Sequence, residues 1–193
     1  MREICFSSPP ADSGFLVAAL LGMTRLEWLT RGSIGSQNFR RCMKIGVISD
    51  THALLRPEAL AALKGSDRII HAGDIGDPEI LNQLSKIAPV TAVRGNVDRE
   101  SWAKKIPATN VLEVEGVSIY ILHSLAALDL KPEAAGFNVV VSGHSHTPNQ
   151  EIKNGVLYFN PGSAGPKRFN LPVSVGRLIV EKGKARAEIA EIL

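Results

Sequence analysis

From Lys44 to the C-terminus, short runs of aliphatic and β-branched residues alternate with stretches whose apolar positions recur every three or four residues. That alternation predicts strands interleaved with helices in an α/β layered fold. Residues 44–49 read as a buried strand, 57–63 as a helix with Pro57 in its first turn and Leu60 and Leu63 on one face, and 68–71 as a second strand. Asp77-Pro78-Glu79 opens another helix. Asp77 caps it, Pro78 takes the first position where no amide is needed, and Ile80, Leu81, Leu84 and Ile87 form the apolar stripe. Residues 90–93 are a third strand. Residues 111–115 and 117–122 read as a hairpin turning at Gly116, and 139–142 as a very apolar strand. The ranges 156–160, 174–180 and 185–192 complete the strands, and no internal repeat or low-complexity tract interrupts the pattern.

The pattern begins abruptly at Met43. Upstream lies a Ser-, Gly- and Arg-containing segment without sustained periodicity, so residues 1–42 are expected to be an N-terminal extension and 43–193 the folded domain. Either that extension is poorly packed, or translation starts at Met43 and the upstream residues belong to an over-long gene model. A strand that begins within two residues of a methionine favours the second reading. The apolar stretch at 15–23 is too short to span a bilayer, and no later segment reaches about 18 uncharged apolar residues. It also fits a secretory signal poorly, because Glu3 and Asp12 dilute the basic flank and no small-residue cleavage site follows Met23. A cytoplasmic protein without membrane contact is expected.

Charge changes the picture little. Lys and Arg exceed Asp and Glu by 22 to 19, but the first 42 residues hold five Arg against three acids, which leaves 17 bases and 16 acids downstream. A near-neutral domain with few aromatics offers neither a basic stripe nor a stacking platform, so nucleic acid is not an expected partner. Cys5 and Cys42 both precede Met43, which excludes a disulfide or a thiolate metal site within 43–193. The oligomeric state is left open, a homo-oligomer included.

The candidate chemistry lies at the strand ends. Asp50 and His52 follow the first strand, Asp74 the second, Asn96 the third, His123 the hairpin's second strand, and His144 and His146 the strand at 139–142. In open α/β sheets, ligands bind outside the carboxyl ends of the strands, so residues far apart in the chain converge there. Asp50 and His52, like His144 and His146, stand at i and i+2, which on extended backbone project to one side. Gly73, Gly95 and Gly143 each precede one of these residues, where a missing Cβ permits close approach. A single His has a plainer reading as a hydrogen-bonded core residue, and a single Asp as a helix cap. All five histidines of the chain, however, lie in or beside these strand ends, which independent structural roles do not explain. Mixed imidazole and carboxylate donors suit divalent transition metals, and seven of them exceed one tetrahedral zinc site. Two metals sharing Asp74 as a bridge would use them all.

The segments Asp50-Thr51-His52, Gly73-Asp74, Gly95-Asn96-Val97-Asp98, His123 and Gly143-His144-Ser145-His146, together with Asn160-Pro161-Gly162-Ser163, resemble the calcineurin-like metallophosphoesterase superfamily, its small phosphodiesterase branch above all. The resemblance implies a four-layer α/β/β/α sandwich. It also implies two divalent transition-metal ions, manganese foremost, with nickel, zinc, iron and cobalt admissible. Asp50, His52, Asp74 and His146 would hold one ion, and Asp74, Asn96, His123 and His144 the other. In place of the family's usual His-Gly-His, His123 is followed by Ser124 and Leu125, which leaves the ligand and alters the loop. Where phosphoprotein phosphatases carry a His after the motif's Asn, this chain has Val97.

The expected activity is hydrolysis of a small phosphoester, most readily a phosphodiester, by a hydroxide bridging the two metals. Asp74, Asn96, Asp98 and His144 are the expected reacting residues, with Asp98 orienting Asn96 or a nearby donor. His71 is either a residue that fixes a ligand's orientation or a buried hydrogen-bonded histidine. Arg94, Arg99 and Arg168 are candidate phosphate contacts. Without an acid at Val97, the leaving group draws its proton from water or another residue, which favours good leaving groups and disfavours phosphoprotein substrates. The alternative is a non-catalytic metal-binding scaffold for protein assembly, since the superfamily includes a retromer subunit of the same fold. A nuclease would need a basic channel that the composition does not supply.

Overall fold

A computed structural model describes residues 42–193, and the expectations for residues 1–41 lie outside it. Two five-stranded sheets pack face to face. The first holds β1 (Met43–Ile48), β2 (Arg68–Ala72), β3 (Val90–Val93), β9 (Ser174–Glu181) and β10 (Lys184–Glu191), in the order β10-β9-β1-β2-β3. The second holds β4 (Thr109–Val114), β5 (Val117–Leu122), β6 (Val139–Val141), β7 (Asn149–Lys153) and β8 (Val156–Asn160), in the order β4-β5-β6-β8-β7. Each sheet contains a parallel trio, β1-β2-β3 in one and β5-β6-β8 in the other, flanked by antiparallel strands. The parallel trios bring strand ends of one polarity together, which is what a strand-end site requires.

Period-two alternation sorts the core into layers. Ile45 and Val47 of β1, Ile70 and Ala72 of β2, Ile119 and Ile121 of β5, and Val139 and Val141 of β6 all point between the sheets, where Phe159 joins them. The alternate residues Ile48 and Ile69 face α1 (Pro57–Leu63) and α2 (Pro78–Ser85), packing against Leu63, Ile80 and Leu84. On the far face of the second sheet, Tyr120, Leu122 and Val140 are covered by Leu128, Leu130 and Phe137. The four-layer α/β/β/α sandwich is present, with its last layer thinned to a 3-10 helix at Leu125–Ala127 and the loop that follows.

The helix starts follow the sequence signals. Pro57 and Pro78 occupy the first turns, and the Asp77 side chain accepts a hydrogen bond from the Glu79 amide at 2.8 Å. Predicted strand bounds hold to within two residues. The hairpin between β4 and β5 turns through Glu115 and Gly116, both with positive φ, as a two-residue loop requires. β7 was not expected: Asn-Gln-Glu-Ile-Lys is polar and fully exposed, and it pairs with β8 as a sheet edge. Two 3-10 helices, at Ala103–Lys105 and Leu125–Ala127, were also absent from the prediction. No helix among the described residues is long and apolar enough to cross a membrane.

Phe159 is among the largest fully buried side chains of the intersheet core. Phe159→Ala is expected to lower unfolding free energy by about 3–5 kcal/mol, the sum of lost burial and an unfilled cavity. Urea denaturation with unchanged m-value is the check.

Candidate metal centre

Every strand of the two parallel trios ends in a loop that builds one site. The loops after β1, β2 and β3 supply Asp50, His52, Asp74 and Asn96, and those after β5 and β6 supply His123, His144 and His146. Backbone hydrogen bonds tie the loops edge to edge. The amides of Asp50, His52 and Ala53 donate to the carbonyls of Gly73, Asp74 and Ile75 at 2.9–3.0 Å, and Gly143 donates to His123 at 2.9 Å.

Two groups of donor atoms result, each gathered within 4.8 Å: Asp50, His52 and His146 in one, Asp74, His123 and His144 in the other. Each group draws on both sheets. In the first, His146 Nε2 lies 3.3 Å from Asp50 Oδ1 and 3.3 Å from His52 Nε2. In the second, His123 Nε2 lies 3.3 Å from Asp74 Oδ2, 3.1 Å from Asn96 Oδ1 and 3.3 Å from His144 Nδ1, which is itself 3.1 Å from Asn96 Oδ1. Asp74 stands between the groups, since its Oδ2 is also 3.9 Å from His52 Nε2. All seven sequence-predicted ligands are therefore brought together.

The donor set fits a cation. His123 Nδ1 lies 2.8 Å from the Ala72 carbonyl and must donate to it, which leaves the Nε2 lone pair facing two oxygen acceptors, Asp74 Oδ2 and Asn96 Oδ1. Lone pairs converging in this way need a positive charge among them, either a proton or a metal ion. Burial pushes the pKa of the His123 imidazole down, but its bonds to Asp74 and Ala72 and the carboxylate charges outweigh that and raise it. Burial raises Asp50 most, to about 6, against the Ser49 hydrogen bond and the His123 charge. Burial also raises Asp74, yet hydrogen bonds from His123 and the Val97 amide prevail and bring it to about 2. Desolvation lowers His52 and His146, the latter to about 4, with the Arg168 charge acting in the same direction on both. Those two imidazoles are neutral at pH 7, the form that ligates a metal.

Local backbone is strained to present these groups. Asp50, His52, Asp74, His144 and His146 all have φ between 47° and 69°, in the left-handed region that costs a non-glycine residue about 1 kcal/mol or more. The preceding glycines matter for space. A Cβ on Gly95 would sit 2.0 Å from Asp74 Oδ1, and one on Gly73 would sit 2.6 Å from His123 Nδ1. Each of these glycines makes room for a donor from a neighbouring strand end.

Asp98, expected among the reacting residues as the group that orients Asn96 or a nearby donor, accepts hydrogen bonds from three backbone amides. Its Oδ1 accepts from the Gly76 amide at 2.9 Å and its Oδ2 from Ile75 and Gly95 at 3.1 and 2.7 Å, so the carboxylate clamps the loops after β2 and β3 together. His71 holds neither metal donor. The Thr51 hydroxyl donates to the Ile75 carbonyl at 2.9 Å and accepts from His71 Nε2 at 3.0 Å, while His71 Nδ1 is buried with no partner. Burial lowers the His71 pKa to about 4.

Of the three arginines, only Arg168 reaches the site, with Nη2 3.3 Å from His52 Nε2. Arg94 donates to the Ile106 carbonyl and Arg99 to the Asn96 carbonyl, both at 2.9 Å. Sequence reasoning gave no role to Asn160 and Ser163, at the end of β8. Asn160 Nδ2 donates to the Gly143 carbonyl and Ser145 Oγ at 2.8 and 3.0 Å, and Ser163 Oγ donates to the Asp50 carbonyl at 3.0 Å. The strand-end rule applied to β8 would have found them.

Fold and site together define a class: an α/β sandwich whose parallel strand ends carry two candidate groups for divalent cations. The sequence profile of the calcineurin-like phosphoesterase superfamily domain matches residues 43–183. A probable metallophosphoesterase of Methanothermobacter thermautotrophicus is 36% identical over 162 residues, spanning 76% of this chain and 91% of that protein. The structure of an archaeal phosphodiesterase superimposes with a TM-score of 0.64 at 26% identity, covering 77% of this chain and 100% of the other. Vps29 of Chaetomium thermophilum shares the fold, with a TM-score of 0.63 at 18% identity over 78% of this chain and 97% of its own. The chain belongs to the calcineurin-like phosphoesterase superfamily.

Two outcomes follow from this geometry. Gly95→Ala should displace the Asp74 carboxylate and weaken binding of an added divalent transition metal by at least about tenfold, roughly 1.4 kcal/mol, in a protein whose circular dichroism is unchanged. The second concerns His71, whose folded pKa near 4 lies below its ordinary 6.5. Its neutral form then contributes stability above pH 6.5 that is lost as pH falls toward 4, on the order of 3 kcal/mol. In metal-free protein, His71→Phe should flatten the pH dependence of denaturant midpoints over that window relative to wild type.

Proposed function

We propose that the protein is a binuclear-metal phosphodiesterase acting on a small phosphorylated substrate, with Asp50, His52, Asp74, Asn96, His123, His144 and His146 as its metal ligands. The observation that carries this reading is the pair of donor groups meeting at the Asp74 carboxylate, lone pairs inward. Manganese is the foremost candidate, and nickel, zinc, iron and cobalt suit the same imidazole and carboxylate donors. Two divalent ions held there lower the pKa of bound water and polarise phosphoryl oxygens.

The chain's own groups do the rest. Asp74, held ionised by His123 and the Val97 amide, serves both donor groups. Asn96 and His144, both exposed at the mouth, face the phosphoryl group and place it, and Asp98 keeps the Asn96 loop in register through Gly95. Arg168, beside His52, takes a non-bridging phosphoryl oxygen. Val97 supplies no proton, so the leaving group must be a good one or draw a proton from water. A phosphodiester with an acidic leaving alcohol meets the first of these conditions.

The second reading is a non-catalytic scaffold, supported by the fold shared with Vps29. The complete donor set favours the enzyme. Purified protein with manganese or nickel is expected to hydrolyse an aryl phosphodiester faster than the matching monoester. No turnover of any phosphoester by folded, metal-loaded protein would remove the reading, and a metal-free preparation holding a protein partner would favour the scaffold. Asp74→Asn should cost more in kcat than changing any other single ligand, by about 100-fold or more, because removing it deprives both groups of a charge. Activity within a few-fold of wild type in that variant would remove the bridging assignment.

A further inference from the structure

β7 is the outer edge of the second sheet, and among the described residues no strand lies beyond it. Its five residues pair one for one with those of β8, so no bulge twists the edge away. The main-chain groups it leaves free follow from β8. The Leu157 amide donates to the Asn138 carbonyl at 2.9 Å, and the Phe159 carbonyl accepts from the Ser142 amide at 2.9 Å, both on the β6 side. Leu157 stands opposite Ile152, and Phe159 opposite Gln150. Opposed residues of an antiparallel pair turn their main-chain groups toward each other or away together, so Ile152 and Gln150 point N–H and C=O out at the free edge.

Such an edge is a template for another strand. All five residues of β7 are exposed, Ile152 at 72%. Ile152 lies on the same face as its opposite number Leu157, which packs against the intersheet core. Glu151 and Lys153 lie on the other face and form an ion pair at 2.9 Å. Lysine on an edge commonly deters pairing, but here its charge stands two residues from an opposite one.

We propose that β7 is a dimerisation edge, joining two copies of this chain antiparallel about a two-fold axis at Ile152. Outward groups must meet outward groups, so the axis falls on a residue rather than between two. An axis at Ile152 sets each Glu151 opposite the partner's Lys153 and lets the two Ile152 residues exchange main-chain hydrogen bonds. Lysine has three donors, so it keeps its own glutamate while reaching the other. The remaining registers conflict. An axis at Glu151 opposes two glutamates, and one at Lys153 opposes two lysines. Axes at Asn149 or Gln150 bring Pro148, which has no N–H, opposite a residue whose carbonyl needs one. Charge and main-chain pairing thus select a second copy as the occupant, the self-complementary match that a two-fold interface requires.

Sedimentation velocity of the full chain, over a concentration series up to about 0.5 mM, tests this. A reversible monomer–dimer equilibrium is expected. Ile152→Pro removes an outward N–H that the β8 ladder does not use, so it should abolish the dimer and leave the unfolding midpoint close to wild type. Lys153→Glu keeps the test alive if the proline disrupts the hairpin: it opposes glutamates twice across the axis and should raise the dimer dissociation constant at least about tenfold. Exchanging the charges, with Glu151→Lys and Lys153→Glu in one chain, should restore the wild-type constant. A monomer throughout the series would overturn the proposal and leave the edge to a strand of another protein. So would a dimer that Lys153→Glu leaves intact, or one that the charge exchange fails to restore.

Discussion

The Asp74 carboxylate has the Val97 amide on one oxygen and imidazoles from both donor groups facing the other. That arrangement sets the terms for everything around it. Gly95 must lack a Cβ because Asp74 Oδ1 occupies the space, and Asp98 must clamp the loops because Asp74 sits on one and its amide partner on the next. A carboxylate so placed stays ionised despite burial, at the cost of a cluster that wants positive charge. The same carboxylate raises the His123 pKa, and the bond from His123 Nδ1 to the Ala72 carbonyl keeps Nε2 turned to the place a metal would take.

Holding five of seven candidate ligands in left-handed backbone is expensive, and the surrounding structure compensates. The loops after β1 and β2 exchange three backbone hydrogen bonds, Thr51 and His71 are buried beneath them, and Ser163 and Asn160 brace the loops after β1 and β6. These bracing residues touch no substrate, yet they decide whether the donors meet. Asp50 with its raised pKa belongs to the same balance: it is an uncomfortable group in the metal-free protein that a cation would relieve.

Much of this was legible in the sequence because the fold converts strand ends into one location. The apolar runs located β1, β2, β3, β5 and β6, and a candidate donor stands one to three residues past the end of each. Three things were not legible. β7 has a polar sequence without alternation because neither of its faces is buried, so periodicity had nothing to register. The role of Asp98 depends on which amides lie opposite, Ile75 and Gly76 from a loop over 20 positions away, and spacing cannot rank a carboxylate's partners. The arginines differ for the same reason: Arg94 and Arg99 find carbonyls close by, while Arg168 is carried to His52 by a loop that starts from the opposite end of the chain.

Each donor group takes members from both sheets, His146 with Asp50 and His52 in one, His123 and His144 with Asp74 in the other. The intersheet core is apolar throughout, with Phe159 among its aliphatic side chains, and close-packed interiors of this kind transmit strain. Ions bound across the seam would add charged links between the layers at the edge where that apolar packing stops. Ligand geometry and layer registration would then be coupled, so that a change in packing between the sheets would reach the donors.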